Sequence, residues 1–124
     1  MVCSLVVMVV GIGVDMVKIE KMKQVIDRWG RSFIDKIFNS EELEMIHESR
    51  IYYQRLAARF AAKEAVIKAI SKRHPLALKD ILILNRENGA PYCKLKKNIN
   101  LEILLSITHI KDYAVATAVA QKEF

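Results

Sequence analysis

Two isolated cysteines, Cys3 and Cys93, are all this chain has. That is too few for a disulfide scaffold or a zinc site, and it points to free thiols in a reducing cytoplasm. Long hydrophobic runs are missing too: the opening stretch holds roughly fourteen apolar residues, short of the ~20 that span a bilayer. MVCSLVVMVV also lacks the basic start and small-residue cleavage site of a secretion signal. It reads as a buried first strand preceded by a few extra residues, and no membrane partner is expected. Glycine is scarce, with 4 in the chain, and Gly11-Ile12-Gly13 lacks the third glycine of a dinucleotide fingerprint. Aromatic content is 7%, Tyr52 and Tyr53 are the only adjacent pair, and no nucleic-acid-binding signature is present.

Acidic residues are in deficit as well: 20 Lys+Arg stand against 14 Asp+Glu, for a net charge of +6 and a pI of about 9.4. Such an excess favours polyanionic partners without choosing among them. With 124 residues, 52% hydrophobic and 27% charged, the chain reads as one globular domain over residues 1–124.

Periodicity supplies the organisation. Leu5–Val14 is β-branched and continuous, a buried strand. From Val17 the period becomes helical, with Ile19, Met22, Ile26 and Trp29 directed to the core and Gly30 ending the helix. Phe33, Ile34, Ile37 and Phe38 form a short apolar turn of helix. Ser40 then reads as an N-cap, with Glu41 and Glu42 in the first turn. Tyr52–Ser71 is the longest helix, rich in alanine and free of Gly and Pro. Beyond Pro75 the pattern is extended: Ile81–Leu84 and Tyr92–Leu95 flank Asn88-Gly89-Ala90-Pro91, and Leu101–Thr108 and Tyr113–Ala120 flank a hairpin. One face of the last strand is all alanine, small enough for the alanine side of the long helix to lie against it. The expected fold class is α+β, a long helix and shorter helices packed on a mainly antiparallel sheet.

Three segments carry chemistry. Phe60-Ala61-Ala62-Lys63-Glu64-Ala65 lies within the long helix, and Gly11-Ile12-Gly13-Val14-Asp15 ends the first strand. Asp15 and Glu64 together would suit Mg²⁺, which takes one or two carboxylates and leaves its other positions to water and phosphate oxygens. Each acid also has a plain structural reading: Asp15 caps the next helix, and Glu64 pairs with Lys68 one turn on. Lys63 lies in an apolar stripe and needs an anion or a subunit boundary beside it. Ser106-Ile107-Thr108-His109, before the last strand, offers hydroxyls that would suit phosphate, although a histidine at a hairpin tip is commonly just solvated.

In this order and in a chain of this length, GIGVD, RFAAKEAVIKA and SITH resemble the holo-acyl-carrier-protein synthases, the small bacterial branch of the 4′-phosphopantetheinyl transferases. The resemblance runs from about Met8 to Gln121, with Ser40-Glu41-Glu42-Leu43 and the Asn88–Pro91 turn as minor echoes. It departs at Lys21, where the family usually has arginine, and at Ala58, where glycine is common. Ser71-Lys72-Arg73-His74-Pro75 replaces a glycine-rich loop.

The resemblance implies an α+β phosphopantetheinyl transferase fold and a defined reaction for fatty acid biosynthesis. Coenzyme A would give its 4′-phosphopantetheine arm to a serine of an apo-acyl carrier protein, releasing adenosine 3′,5′-bisphosphate. Asp15 and Glu64 would bind Mg²⁺ and Lys68 the same pyrophosphate, while Lys63 joins the coenzyme A contacts. Arg59, Thr108 and His109 would come from a neighbouring subunit of a homotrimer to the 3′-phosphate, with Gly89 and Pro91 near the adenine. Lys21, Arg28 and Arg31 would dock an acidic carrier protein. Two alternatives from other classes are a basic nucleic-acid-binding domain and a non-catalytic oligomeric interaction module.

Overall fold

The computed structural model describes residues 6–46 and 51–123; Cys3 and Leu5 lie outside them. The order is β1 (Val7–Lys18), α1 (Ile19–Trp29), α2 (Arg31–Ile37), α3 (Ser40–Glu44), α4 (Tyr52–Ile70), a 3₁₀ turn (Leu78–Asp80), β2 (Ile81–Asn85), β3 (Pro91–Leu95), β4 (Glu102–His109) and β5 (Tyr113–Glu123). The class is α+β, as the periodicity requires. The described strands form two antiparallel sheets, one of order β1-β5-β4 and a separate β2-β3 hairpin. No helix among the described residues is long and apolar enough to cross a membrane.

Small residues decide how α4 sits. Ala114, Ala116, Ala118 and Ala120 of β5 are fully buried, and so are Ala61, Ala62 and Ala65 of α4. On β1 the approach is closer still. A Cβ added at Gly11 would lie 1.7 Å from the Ala69 carbonyl oxygen, and one at Gly13 would lie 1.9 Å from that of Ala65. The two glycines therefore let helix backbone rest on strand backbone. Asp15, two residues beyond Gly13, points to the same side of the strand and meets the flank of α4.

Several boundaries differ from expectation. Strand β1 runs past Asp15 to Lys18, so Asp15 does not cap α1; Lys18 holds the N-cap position without a side-chain cap bond. The N-cap before α3 is Asn39 and not Ser40, because Glu42 reaches back to the Asn39 backbone N–H at 3.0 Å. Trp29 is 58% exposed, with the Arg28 guanidinium 5.2 Å from its ring centroid. Gly30, at φ 58°, turns the chain directly after Trp29. Ile34 and Ile37 of α2 then occupy the core beside Met22 and Ile26.

Candidate active site

Helix α4 distributes its charged residues by angle. At about 100° per residue, Glu64 and Lys68 lie about 40° apart, Arg59 and Lys63 also about 40° apart, and Arg59 about 140° from Glu64. The two pairs serve different surroundings.

Glu64 and Lys68 face β1. The Lys68 ammonium lies 3.0 Å from Asp15 Oδ1 and donates to the Val14 carbonyl at 3.0 Å. It pairs across to the strand and not, as its spacing suggested, with Glu64. Burial holds the Glu64 carboxyl above the usual carboxylate range; the Asp15 charge pushes the same way and Lys68 opposes it. Asp15 and Glu64 also share a mostly apolar cavity of about 370 Å³ with Lys21, Met22, Phe33 and Phe60. Among the described residues no third acid, histidine or cysteine joins them as a metal-ligand cluster. Two carboxylates that repel one another, beside open space, fit a hard cation such as Mg²⁺ with most positions left to other oxygens. They do not make a closed zinc site.

Lys63 has another use. It is fully buried, and its ammonium donates to Glu42 Oε1 at 2.5 Å, to the Ile37 carbonyl at 2.6 Å and to the Leu78 carbonyl at 3.2 Å. The anion it needs is thus Glu42 of the same chain. All three of its N–H donors are taken, which corrects its assignment as a coenzyme A contact. Burial lowers its pKa, against the pull of Glu42. Glu42, also fully buried, accepts in addition from Asn39 and from the Ile83 backbone N–H at 3.0 Å. The pair ties α3, α4, the 3₁₀ turn and β2 together. Removing one partner strands the other charge in the core, so Lys63→Met or Glu42→Leu alone should each lower stability by about 3–5 kcal/mol. The double replacement should recover most of that in a denaturant titration.

Arg59 faces the opposite cavity. About 590 Å³ in volume, this cavity is lined by Arg55, Arg59, Asn85, Gly89, Pro91 and His109 among others. Arg59 is only 8% exposed, its Nη2 donates to Asn85 Oδ1 at 2.6 Å, and its Nε–H is buried without a partner among the described residues. Burial lowers its pKa, Glu42 opposes that, and Arg55 adds to it. A buried, incompletely satisfied guanidinium beside a second arginine is a place for an anion. The fold brings Arg59, Gly89, Pro91 and His109 together here. Thr108 is exposed and alternates to the other face of β4, with Ser106. Sequence reasoning missed Asn85, Arg55 and Glu42. Only Glu42 left a trace, the Asn-x-x-Glu spacing of a capping box.

Lys21 borders the acid-pair cavity, and Arg28 stands exposed on α1. Arg31 already shares its charge with Asp35, whose carboxylate is 3.0 Å away. Cys93 is half-buried, and burial pushes its thiol up to about 12, which makes it an inert packing residue.

An α+β fold with an acid pair on one flank of its central helix and an arginine-lined cavity on the other defines a phosphate-handling protein. The chain belongs to the 4′-phosphopantetheinyl transferase superfamily, whose sequence model matches residues 11–118. It is 41% identical over 112 residues to a holo-[acyl-carrier-protein] synthase of Thermodesulfovibrio yellowstonii, a match covering 90% of this chain and 98% of that one. It is 36% identical to the Aquifex aeolicus protein of the same name, covering 90% and 98%. Among solved structures it resembles a Bacillus anthracis holo-(acyl-carrier-protein) synthase in complex with CoA (3′,5′-ADP). That match has a TM-score of 0.81 and 29% identity, and covers 93% of this chain and 98% of that one. A Helicobacter pylori holo-[acyl-carrier-protein] synthase in complex with coenzyme A gives 0.77 and 27%, covering 88% and 98%.

Proposed function

We propose that this protein is a holo-[acyl-carrier-protein] synthase acting in the cytoplasm for fatty acid biosynthesis, with residues 1–124 as its one domain. It moves the 4′-phosphopantetheine group of coenzyme A to a serine hydroxyl of apo-acyl carrier protein. The serine oxygen gives up its proton, released overall to solvent, and bonds to the phosphorus bearing the pantetheine arm, while that phosphorus parts from the bridging oxygen of the pyrophosphate. Adenosine 3′,5′-bisphosphate leaves. The observation that carries this reading is the Asp15–Glu64–Lys68 constellation in a chain matched to the superfamily over residues 11–118. The family match leaves the nucleic-acid and non-catalytic alternatives without support.

Mg²⁺ would be held by Asp15 and Glu64 and, when bound, would supply positive charge to the pyrophosphate oxygens. Lys68 adds its ammonium on the same side, where charge builds on the leaving phosphate. Phe33, Phe60 and Met22 wall this cavity and exclude water from part of it. Arg59 and His109, with Gly89 and Pro91, receive the adenosine and 3′-phosphate end; Thr108, on the opposite face of β4, does not line this cavity. Arg59 points about 140° away from Glu64 on one helix, which supports a donor site shared between two copies. The assembly is a homotrimer with sites between subunits, a reading that rests on that separation together with the family resemblance.

Intact-mass measurement of an apo carrier protein, incubated with this protein, coenzyme A and Mg²⁺, tests the activity. A gain of one phosphopantetheine group is expected. An unchanged mass across several apo carriers would rule the reaction out.

The carrier approaches α1. Lys21 and Arg28 are seven residues apart and so share one face of the helix; both are exposed. Arg31 contributes less, being paired with Asp35. Rim charges steer encounter and are screened within about 8 Å at physiological salt. Reversing Arg28 to glutamate should raise KM for the carrier several-fold and leave that for coenzyme A nearly unchanged, whereas Lys21→Glu, at the border of the acid-pair cavity, should raise both. Unaltered carrier kinetics at low salt would move the docking surface elsewhere.

A further inference from the structure

Asn85 is the last residue of β2, paired across the hairpin with Pro91. Both ends of its amide are engaged. Oδ1 accepts from Arg59 Nη2 at 2.6 Å, and Nδ2 donates to the Gly89 carbonyl at 2.9 Å. The turn it reaches is otherwise held by its own residues: Gly89 N–H donates to the Arg86 carbonyl at 2.8 Å, Arg86 N–H to the Ala90 carbonyl at 2.9 Å, and Ala90 N–H to Asn88 Oδ1 at 3.0 Å. One short side chain thus joins the guanidinium on α4 to the turn on β2–β3, and all three groups line the same cavity.

The residue type matters here. Arginine binds phosphate oxygens through a planar fork of donors, so the direction of that plane decides whether two bonds or one can form. An asparagine offers an acceptor and a donor in one rigid group; leucine offers neither, and aspartate only accepts. Being neutral, it also fixes the guanidinium without cancelling its charge. Aspartate at this place would fix the guanidinium and neutralise it.

We infer that Asn85 is a positioning residue that sets donor specificity: it holds the charged Arg59 guanidinium, still short of partners, against the cavity and thereby favours donors with a phosphate on the ribose. The inference rests on the reading that Arg59 meets the 3′-phosphate of coenzyme A. Its test is steady-state kinetics of the full chain with coenzyme A and with dephospho-coenzyme A, which lacks that phosphate. The wild type is expected to prefer coenzyme A. Asn85→Ala should cut the ratio of kcat/KM values about tenfold, as for loss of a hydrogen bond to a charged group. The loss should come from KM for coenzyme A, with dephospho-coenzyme A nearly unaffected. Asn85→Asp, close in shape, should lower the preference as much, and in an Arg59→Ala background neither change should matter further.

Equal losses with both donors, or full preference in Asn85→Asp, would overturn the role of Asn85. Collapse of the preference in Arg59→Ala but not in Asn85→Ala would overturn it alone. No preference in the wild type, or none lost in Arg59→Ala, would instead overturn the reading of Arg59. Should Asn85→Ala fail to fold, the aspartate variant decides.

Discussion

Asp15→Asn or Glu64→Gln is expected to lower kcat/KM by about 10²-fold or more, the scale of losing one preorganised charge-stabilising contact. On the proposed metal assignment, either change would leave the cation with one protein carboxylate and the pyrophosphate charge poorly countered. The two variants should differ in stability. The folded pKa of Glu64 is raised, so the folded state holds that proton more tightly than the unfolded chain does. Its favourable contribution is present below the unfolded pKa and is lost as pH rises through the folded one. At neutral pH, well above the usual value for the group, the buried Glu64 therefore opposes folding. Metal-free Glu64→Gln should melt above the wild type at pH 7, and the difference should fade as pH falls below about 4.5, the usual value for the group. Asp15→Asn breaks the 3.0 Å pair with Lys68 and should show no such gain. Mg²⁺ should raise the melting temperature of the wild type more than that of either variant. Folded variants with near-normal turnover, or equal response to Mg²⁺, would sink the metal assignment.

A single charge on the outer sheet face should dismantle the protein as an enzyme. Ile12, Val14, Met16 and Leu104 are 66%, 55%, 62% and 47% exposed, on the side of the β1-β5-β4 sheet away from α4. Cross-strand register joins them into one surface: Ile12 and Leu104 both flank Val119, and Val14 flanks Thr117. Such a face calls for a partner. In the free chain, glutamate at Val14 would remain solvated and leave the fold intact. In an assembly it would be buried without a counter-charge, at several kcal/mol; about 3 kcal/mol already weakens association roughly a hundredfold. Light scattering should give about three times 14.2 kDa for the wild type and one chain mass for Val14→Glu. Transferase activity should fall in parallel, because the acid pair and the arginine cavity then never share a donor. A monomeric wild type with full activity would refute both the assembly and the shared site.

Much of this was legible in the residues. An α4 without Gly or Pro, and an alternating β5 with one alanine face, leave little choice but close helix-on-sheet packing. Gly11 and Gly13 fit that scheme, although from sequence they read as a strand-to-helix connection and not as the surface under Ala65 and Ala69. Asp15, Glu64, Lys68 and Arg59 were identifiable through motif order. Trp29 was misplaced because helical period assigns a face but not where the covering element ends, and α2 covers that face without it.

Elements and the family thus follow from local period and motif order, since these depend on residues close together in the chain. The first strand, read as buried, instead exposes Ile12, Val14 and Met16, because a continuous apolar run does not tell whether one sheet face or both are covered within the chain. Partners of individual charges do not follow from period either. Lys63 finds Glu42, Lys68 turns from Glu64 to Asp15, and Arg59 meets Asn85. Each of these pairings joins elements distant in sequence. Their geometry is set by how closely α4 settles on β1 and β2, to within a few tenths of an ångström. A long side chain with several acceptors in reach is decided by that packing, because hydrogen-bond strength falls steeply with distance and angle, while hydrophobic periodicity carries no information about either.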